Sequence, residues 1–480
     1  MQLRNASRLL SVSVLSLGGV VYSSSVFAAG FALRDHSASG VGTALASDAV
    51  NTFDASGVLS NPAIMSQFKG NHLSLDINYT DANIKASNST LALYTGAVHP
   101  VQGEPSEDNV SDPVTVPSLY GIFQINDDAH VGISFNVPYG TNTEYSNSWT
   151  GRYYGTKTDL KTYDIGLHFS YKFTPMFAAG VTLDWQKAKG QLTSAVDTAL
   201  LTAGALGQAA AGAAASADPA VRARAAAYAA AAVGAQANIG KADSLTTYSG
   251  DSTQLAWGLG FLFTPDTTIR VGLSYRGEVK HKAKGDLKWG PENDLATAYL
   301  GTLRASGNRQ VQNSDDARLD INLPSVTSLG YAQDLSDFTV YGNLTYTNWS
   351  TLSELTPKWN GAQSKTDLNW KNSLYVAIGG DYRLAPEWTL RAGVGHDQGV
   401  TDEKHRTPRT PDGDRTALSL GASYKVGTLD FSLGVQQLFL PTTHSDLEAS
   451  AYPDNQARGT FKTTYKINPT IAVVSAGYGF

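Results

Sequence analysis

The chain contains no cysteine. That excludes a disulfide framework, a thiol nucleophile and any thiolate-ligated metal. Charge is sparse as well: Asp, Glu, Lys and Arg make up 16% of its 480 residues, against about 25% in ordinary soluble domains. A net charge of -6 leaves no basic surface of the kind nucleic acid requires, so no nucleic-acid partner is expected. There are only 9 histidines, and neither a Gly-x-Ser-x-Gly elbow nor a His-Glu-x-x-His pair occurs. No cofactor and no metal are expected. After residue 28 no apolar run reaches the length of a transmembrane helix.

Among the features present, the first is an export signal. Arg4 and Arg8 precede an apolar stretch from Leu9 to Val21, and Val26-Phe27-Ala28 supplies small residues for a signal peptidase. Residues 1–28 are expected to be a signal peptide cleaved after Ala28. The alternative is an uncleaved anchor, for which the apolar run falls short of the ~20 residues a bilayer span needs.

Beyond it one pattern repeats. Leu73, Leu75, Ile77 and Tyr79 alternate with His72, Ser74, Asp76 and Asn78; Ile165, Leu167 and Phe169 alternate with Gly166, His168 and Ser170. A period of two puts one set on each face of a strand. A soluble sandwich would alternate in the same way, so the connections carry the distinction. Tight turns at 126–128, 174–176, 264–266, 335–337, 385–387 and 426–428 alternate with long segments at 139–159, 191–251, 282–318, 351–369, 399–414 and 442–465, with another at 86–115. Long loops at one end and short turns at the other are the outer-membrane barrel arrangement. An all-β transmembrane antiparallel barrel of about fourteen strands is expected over 71–480. The predicted strands are 71–85, 116–126, 129–138, 160–174, 176–190, 252–264, 267–281, 319–334, 337–350, 370–384, 387–398, 415–426, 428–441 and 466–480. Aromatics near strand ends, among them Tyr153, Tyr154, Trp185, Trp349, Trp370 and Trp388, suit the headgroup interfaces.

Residues 29–70 do not alternate and are rich in Gly, Ala, Ser and Asp. Because about fourteen strands enclose more space than their side chains fill, this segment is expected to be a plug (hatch) in the lumen. A periplasmic tail is the alternative. The Ala-rich stretch from Thr202 to Asn238, within the long external loop 191–251, reads as one or two helices started at Asp218-Pro219, or as low-complexity disorder. The chain ends in Tyr478-Gly479-Phe480. A C-terminal aromatic such as Phe480 resembles the signal read by the barrel-assembly machinery, an expected partner.

Ala29-Gly30-Phe31, the run Ser37-Ala38-Ser39-Gly40-Val41-Gly42, Asp48-Ala49, Asn61-Pro62-Ala63, Tyr139-Gly140 with Glu144-Tyr145, and Asn322-Leu323-Pro324 together resemble the FadL-type outer-membrane fatty-acid transporters over nearly the whole mature chain. The resemblance implies a fourteen-strand barrel with an N-terminal plug that passes long-chain fatty acids or other apolar ligands without an energy source. It implies capture in an apolar groove between the long third and fourth loops, transfer to a tighter pocket, and exit sideways near a kink in the third strand. Outer-membrane lipid and lipopolysaccharide are its surroundings, and a monomer is expected. Some relatives carry aromatic hydrocarbons.

Candidate site residues follow. Phe31 falls in the substrate pocket by resemblance. Pro138 cannot donate a ladder hydrogen bond and Gly140 permits a bend, so Pro138, Tyr139 and Gly140 are candidates for a lateral opening or for an ordinary strand-to-loop break. Lys187 falls where the family carries a basic residue, yet it shares the outward parity of Val181, Leu183 and Trp185 and would need a bulge to reach the lumen. A second family lysine falls on Thr356, with Lys358 nearby; that departure makes a neutral apolar substrate more credible. Asn61, Pro62 and Ala63 are expected to hold a tight turn, in a plug that either moves or serves as a fixed anchor. Two other classes remain: an outer-membrane lipid hydrolase, for which His168 and Ser170 come nearest but face the lumen by parity, and an open porin or adhesin barrel, against which the plug speaks.

Overall fold

A computed structural model describes residues 29–94, 97–291 and 293–480; the expected signal peptide, 1–28, lies outside them. Fourteen strands form the wall: β1 His72–Asp81, β2 Val114–Gln124, β3 in two pieces (Ala129–Asn136 and Gly140–Glu144), β4 Lys157–Thr174, β5 Phe177–Asp197, β6 Asp243–Phe263, β7 (Ile269–Arg276 and Val279–Pro291), β8 (Ser314–Leu323 and Val326–Leu335), β9 Phe338–Thr347, β10 Ser373–Arg383, β11 Trp388–Asp397, β12 Arg415–Val426, β13 Leu429–Phe439 and β14 Thr470–Gly479. Each pairs antiparallel with the next, and β14 closes on β1 from His72↔Gly479 to Asp81↔Thr470. Closure gives every strand a neighbour on both sides, the condition for crossing a bilayer with strands.

The period of two sets the faces. Leu75, Ile77, Ile165, Leu167, Leu418 and Leu420 stand exposed on the outer wall, while Ser74, Asp76, Asp164 and His168 are buried inside. An outward apolar belt on every strand exceeds the patches a soluble monomer tolerates, and its solvent is lipid. Near the short-turn end, outward rings pair across strands: Phe338 with Tyr382 at 4.7 Å and Trp388 with Tyr424 at 4.8 Å. These suit an interfacial girdle. Trp185 and Trp388 face outward as expected, but Tyr153, Tyr154, Trp349 and Trp370 are buried. Trp349 and Trp370 lie just beyond the external ends of strands and Tyr153 and Tyr154 within an external loop, and the loops packed over them bury them.

Residues 29–66 are buried or half-buried and pack on the inner wall, while Gln67 and Lys69 are exposed at the short-turn end. Short helices at Ala38–Gly42 and Gly57–Ser60 and 3-10 turns at Asp48–Val50 and Pro62–Gln67 press on the inner wall. The wall is cut back to fit: a Cβ on Gly421 of β12 would sit 2.9 Å from Gly42 Cα, and one on Gly180 of β5 would sit 2.7 Å from Pro62 C. Two further contacts fix the segment to the wall: Arg34 pairs with Asp397 at 2.7 Å, and the Arg391 guanidinium, itself 3.2 Å from Asp381 on the neighbouring strand, lies 3.9 Å over the Phe53 ring.

The external loops are more ordered than their polarity suggests. Segments within 86–115 and 442–465, expected to be irregular, share a four-stranded sheet of Ile84–Tyr94, Val98–Pro100, Thr443–Leu447 and Thr460–Ile467. It packs on a core of Trp149, Phe461, Tyr465 and Leu93. The β5–β6 ladder runs to Asp197↔Asp243, so that loop spans only 198–242. Its alanines form helices Thr198–Ala214, Pro219–Arg222 and Ala225–Gln236, the first two capped by the Asp197 and Asp218 side chains.

Candidate functional site

The wall is interrupted at β3. Asn136 pairs with Asp164 of β4 and Gly140 pairs with Lys161. Four steps on β3 thus meet three on β4, and the extra residue makes a bulge at 137–139. Pro138 fixes its place, since it has no N–H to give the ladder. On the other side, β2–β3 pairing stops at Leu119↔Phe135. Among the described residues, Val114–Ser118 of β2 pair with β1 alone. Pro117 lies in that stretch, as prolines do where a strand is an edge. A break in the ladder between β2 and β3 is left there. Val114, Val116 and Val137, with Leu33 packed against them, make its surroundings apolar.

The plug's first residues are hydrogen-bonded to the kink. Leu33 N donates to Pro138 O at 2.8 Å and Gly140 N donates to Phe31 O at 2.9 Å. Cavities lie on both sides of this short bridge. One, of about 100 Å³, is lined by Leu33, Leu59, Pro62, Pro138, Tyr139 and Arg276. The other, of about 40 Å³, lies toward the external end and is lined by Phe31, Leu160, Leu192, Leu368, Trp370 and Arg409. A third, also of about 40 Å³, lies among the loops, with Tyr153, Tyr154, Trp359, Arg458 and again Arg409 in its wall.

Phe31 is held by an aromatic nest: Trp349 at 4.9 Å, Trp370 at 5.5 Å and Tyr139 at 6.1 Å between ring centroids. Gly30 has φ +70°, and a Cβ there would strike both tryptophans, so a side chain at this position would displace the nest. Phe31 lines the external cavity and Leu33 the internal one, so the segment between them separates the two.

Asn61 is fully buried and joins plug to wall. Its Nδ2 donates to Ala49 O at 2.9 Å and to Phe261 O of β6 at 3.1 Å, and its Oδ1 accepts from Ala63 N at 3.0 Å. Pro62 then opens the 3-10 turn at its first position, with Asn61 as cap. In Asn61→Ala the three bonds vanish and two carbonyls lose donors, so segment 57–67 should loosen by about 2 kcal/mol. Hydrogen exchange of the Asn61 to Phe68 amides in reconstituted protein measures this. Unchanged protection would show that packing alone seats the turn.

The expected cations lie elsewhere. The β4–β5 ladder is regular from Lys157↔Thr193 to Lys172↔Ala178, with no bulge to turn Lys187 inward. Lys187 stays on the outer face, half-exposed, 3.1 Å from Asp251. Lys358 is exposed in a short external strand, Lys358–Trp359, and its neighbour Trp359 supplies the cavity wall instead. Thr356 is buried and donates to Glu354 at 2.9 Å. Neither lysine lines any of these three cavities. His168 bonds Thr182 at 2.8 Å and Ser134 at 2.9 Å on the inner wall, and the Ser170 hydroxyl has no partner among the described residues. Phe480 stacks on Tyr478 at 5.2 Å and pairs its backbone with Asn71, tying the C-terminus to the start of β1.

Two features escaped sequence reasoning. One is the buried ion cluster of Arg276 with Asp164 and Asp184, where Asp184 is 3.0 Å away. The other is Arg409, whose signal in the sequence is the doubled Arg406-Thr407-Pro408-Arg409-Thr410-Pro411 in an external loop.

A closed apolar-belted barrel, with its N-terminal segment packed on the inner wall and one ladder interrupted beside a cavity, is a transmembrane barrel of the outer-membrane type. The family model described as outer membrane protein transport protein (OMPP1/FadL/TodX) matches residues 19–480. The chain belongs to that family. It is 27% identical over 426 residues to the long-chain fatty acid transport protein of Escherichia coli strain CFT073, covering 87% of this chain and 88% of that one. It is 28% identical over 434 residues to outer membrane protein P1 of Haemophilus influenzae, covering 88% and 86%. Among solved structures it superposes on a Pseudomonas aeruginosa FadL homologue with TM-score 0.82 at 22% identity, covering 94% of this chain and all of that one. The Pseudomonas putida toluene transporter TodX superposes with TM-score 0.58 at 15% identity, covering 95% and 100%. At these identities the two structures share the fold. The protein is an outer-membrane transport protein.

Proposed function

We propose that the ligand is a long-chain fatty acid or a molecule of similar greasiness, that it enters among the external loops, and that it leaves sideways at the β2–β3 break into the membrane. The observation that carries this is the interrupted ladder at Pro138, placed against a cavity lined by Leu33, Pro138 and Tyr139. Lateral exit suits such a ligand physically. An alkyl chain gains about 0.8 kcal/mol per methylene on leaving water, so a water-filled pore offers it nothing and no energy source is needed. The lipopolysaccharide leaflet is the barrier, and a side exit bypasses it. Phe31 is the gate residue between the external and internal cavities.

The protein acts as a carrier without catalysis: His168 is spent on Thr182 and Ser134, inside the wall. An aromatic hydrocarbon is the second reading, supported by the toluene transporter's shared fold. Its partners are the ligand, the surrounding outer-membrane lipid and lipopolysaccharide, and the assembly machinery that reads the strand ending at Phe480; it works as a monomer. Expressed in a strain lacking its own transporter, the protein should restore growth on oleate while conducting almost no ions in planar bilayers. A large steady conductance without growth would replace this reading with that of a porin.

A further inference from the structure

Arg409 sits where two of the cavities meet. It lines the external cavity with Phe31, Leu160 and Trp370, and the loop cavity with Tyr153, Tyr154 and Trp359. The guanidinium is held only by neutral groups: Nη1 donates to Lys157 O at 2.8 Å and to Thr158 Oγ1 at 3.1 Å, and Nη2 donates to Thr193 O at 3.1 Å. Its stem and head pack on Gly155, where a Cβ would come within 3.0 Å of the Arg409 Cζ. Three of its five N–H groups are engaged in this way, leaving Nε and one Nη2 hydrogen for an incoming acceptor.

No carboxylate among the described residues lies within ion-pair distance of it. The only acidic residue lining either cavity, Asp159, is occupied by Lys161 at 3.2 Å. Burial, and after it the charge of Arg458, pulls the guanidinium down to about 9. A cation so placed is uncompensated, and an anion arriving beside it relieves that cost.

We propose that Arg409 is an anion-binding site shared by both cavities, and that its ligand is an alkyl chain bearing one carboxylate. The proposal rests on the uptake reading above and decides within it for an acid over a neutral hydrocarbon. A carboxylate fixed on Arg409 would sit where the two cavities meet. No bond is made or broken. Planar guanidinium and carboxylate match edge to edge, and such charge-assisted bonds are about twice as strong as neutral ones.

Calorimetry on the full-length purified protein with oleate and with methyl oleate tests this. Wild type should bind oleate roughly tenfold or more tightly than the ester. Arg409→Gln should bind the two alike, through loss of oleate affinity alone, and Arg409→Lys should recover part of the preference. Heat-modifiable migration on gels checks that each variant is a folded barrel. A second variant, Leu368→Trp, narrows only the cavity behind Phe31; it should weaken both ligands yet keep the preference for oleate. Equal binding of both ligands by wild type, or an Arg409→Gln variant that still prefers oleate, would overturn the anion site. Loss of the preference in Leu368→Trp would overturn the shared position. Failure of wild type to bind either ligand would instead remove the uptake reading beneath it.

Discussion

Deleting Pro138 is expected to abolish oleate uptake while leaving oleate binding intact. Between Asn136 and Gly140, β3 takes one residue more than β4 takes between Asp164 and Lys161. Removing one makes the count equal, and the bulge has no residue left to be built from. β3 can then run straight beside β2, extending the ladder beyond Leu119↔Phe135 to the residues Val114–Ser118 that now pair only with β1. Each added backbone bond contributes about 1 kcal/mol and removes an unpaired group facing lipid, so closure is the favoured state. Arg409 and the loop cavity make no contact with the deleted residue. Growth on oleate and initial uptake of labelled oleate should fall roughly tenfold or more, since a ligand that gains only on reaching lipid then has no exit to it. Binding by calorimetry should stay near wild type. Uptake that persisted with the wall closed would mean that the ligand leaves through the periplasmic end.

Filling the wall glycines beneath the plug should have the opposite effect and open the barrel. In Gly393→Val with Gly421→Val, one new side chain takes the position of the Thr43 carbonyl and the other lies 2.9 Å from Gly42 Cα. Both are backbone of the plug, which cannot yield by turning a rotamer. Helix Ala38–Gly42 and the turn after it would be pushed off β11 and β12. The wall itself should tolerate the change, because valine favours strands and both positions face the lumen. A fourteen-strand barrel without its stopper holds a water column, so single-channel conductance should rise roughly tenfold or more above the wild-type leak. Sensitivity of cells to large polar antibiotics should rise with it. A barrel still closed to ions would show that the external loops, not residues 29–70, form the seal.

The two experiments bear on different parts of the path. The first closes the side exit and leaves capture alone. The second destroys the barrier to water, and oleate would then compete with a hydrated pore that does not favour it. Together they separate a plugged lateral channel from a porin whose N-terminal segment merely rests in the lumen.

Much of the architecture was legible in the amino-acid order because its causes are local. The alternation of Ile165, Leu167 and Phe169 with Gly166, His168 and Ser170 depends only on a strand's period of two, and a turn such as Ala385-Pro386-Glu387 depends on its own residues. Strand number, inner and outer faces, the side of the long loops and the break at Pro138 all follow from such short-range rules. Regularity between those breaks mattered too: with the β4–β5 ladder regular from Lys157 to Lys172, the outward parity of Lys187 decided its place against its suggested role. Loop interiors were misjudged where polar strands such as Thr460–Ile467 found partners about 370 residues away. What only the folded barrel decided are the meetings of distant residues: Phe31 with Trp349 and Trp370, Asn61 with Phe261, and Arg409 with the carbonyls of Lys157 and Thr193. Closing the wall and folding the N-terminus into it sets those contacts, and no periodicity along the chain encodes which loop will lie over which cavity.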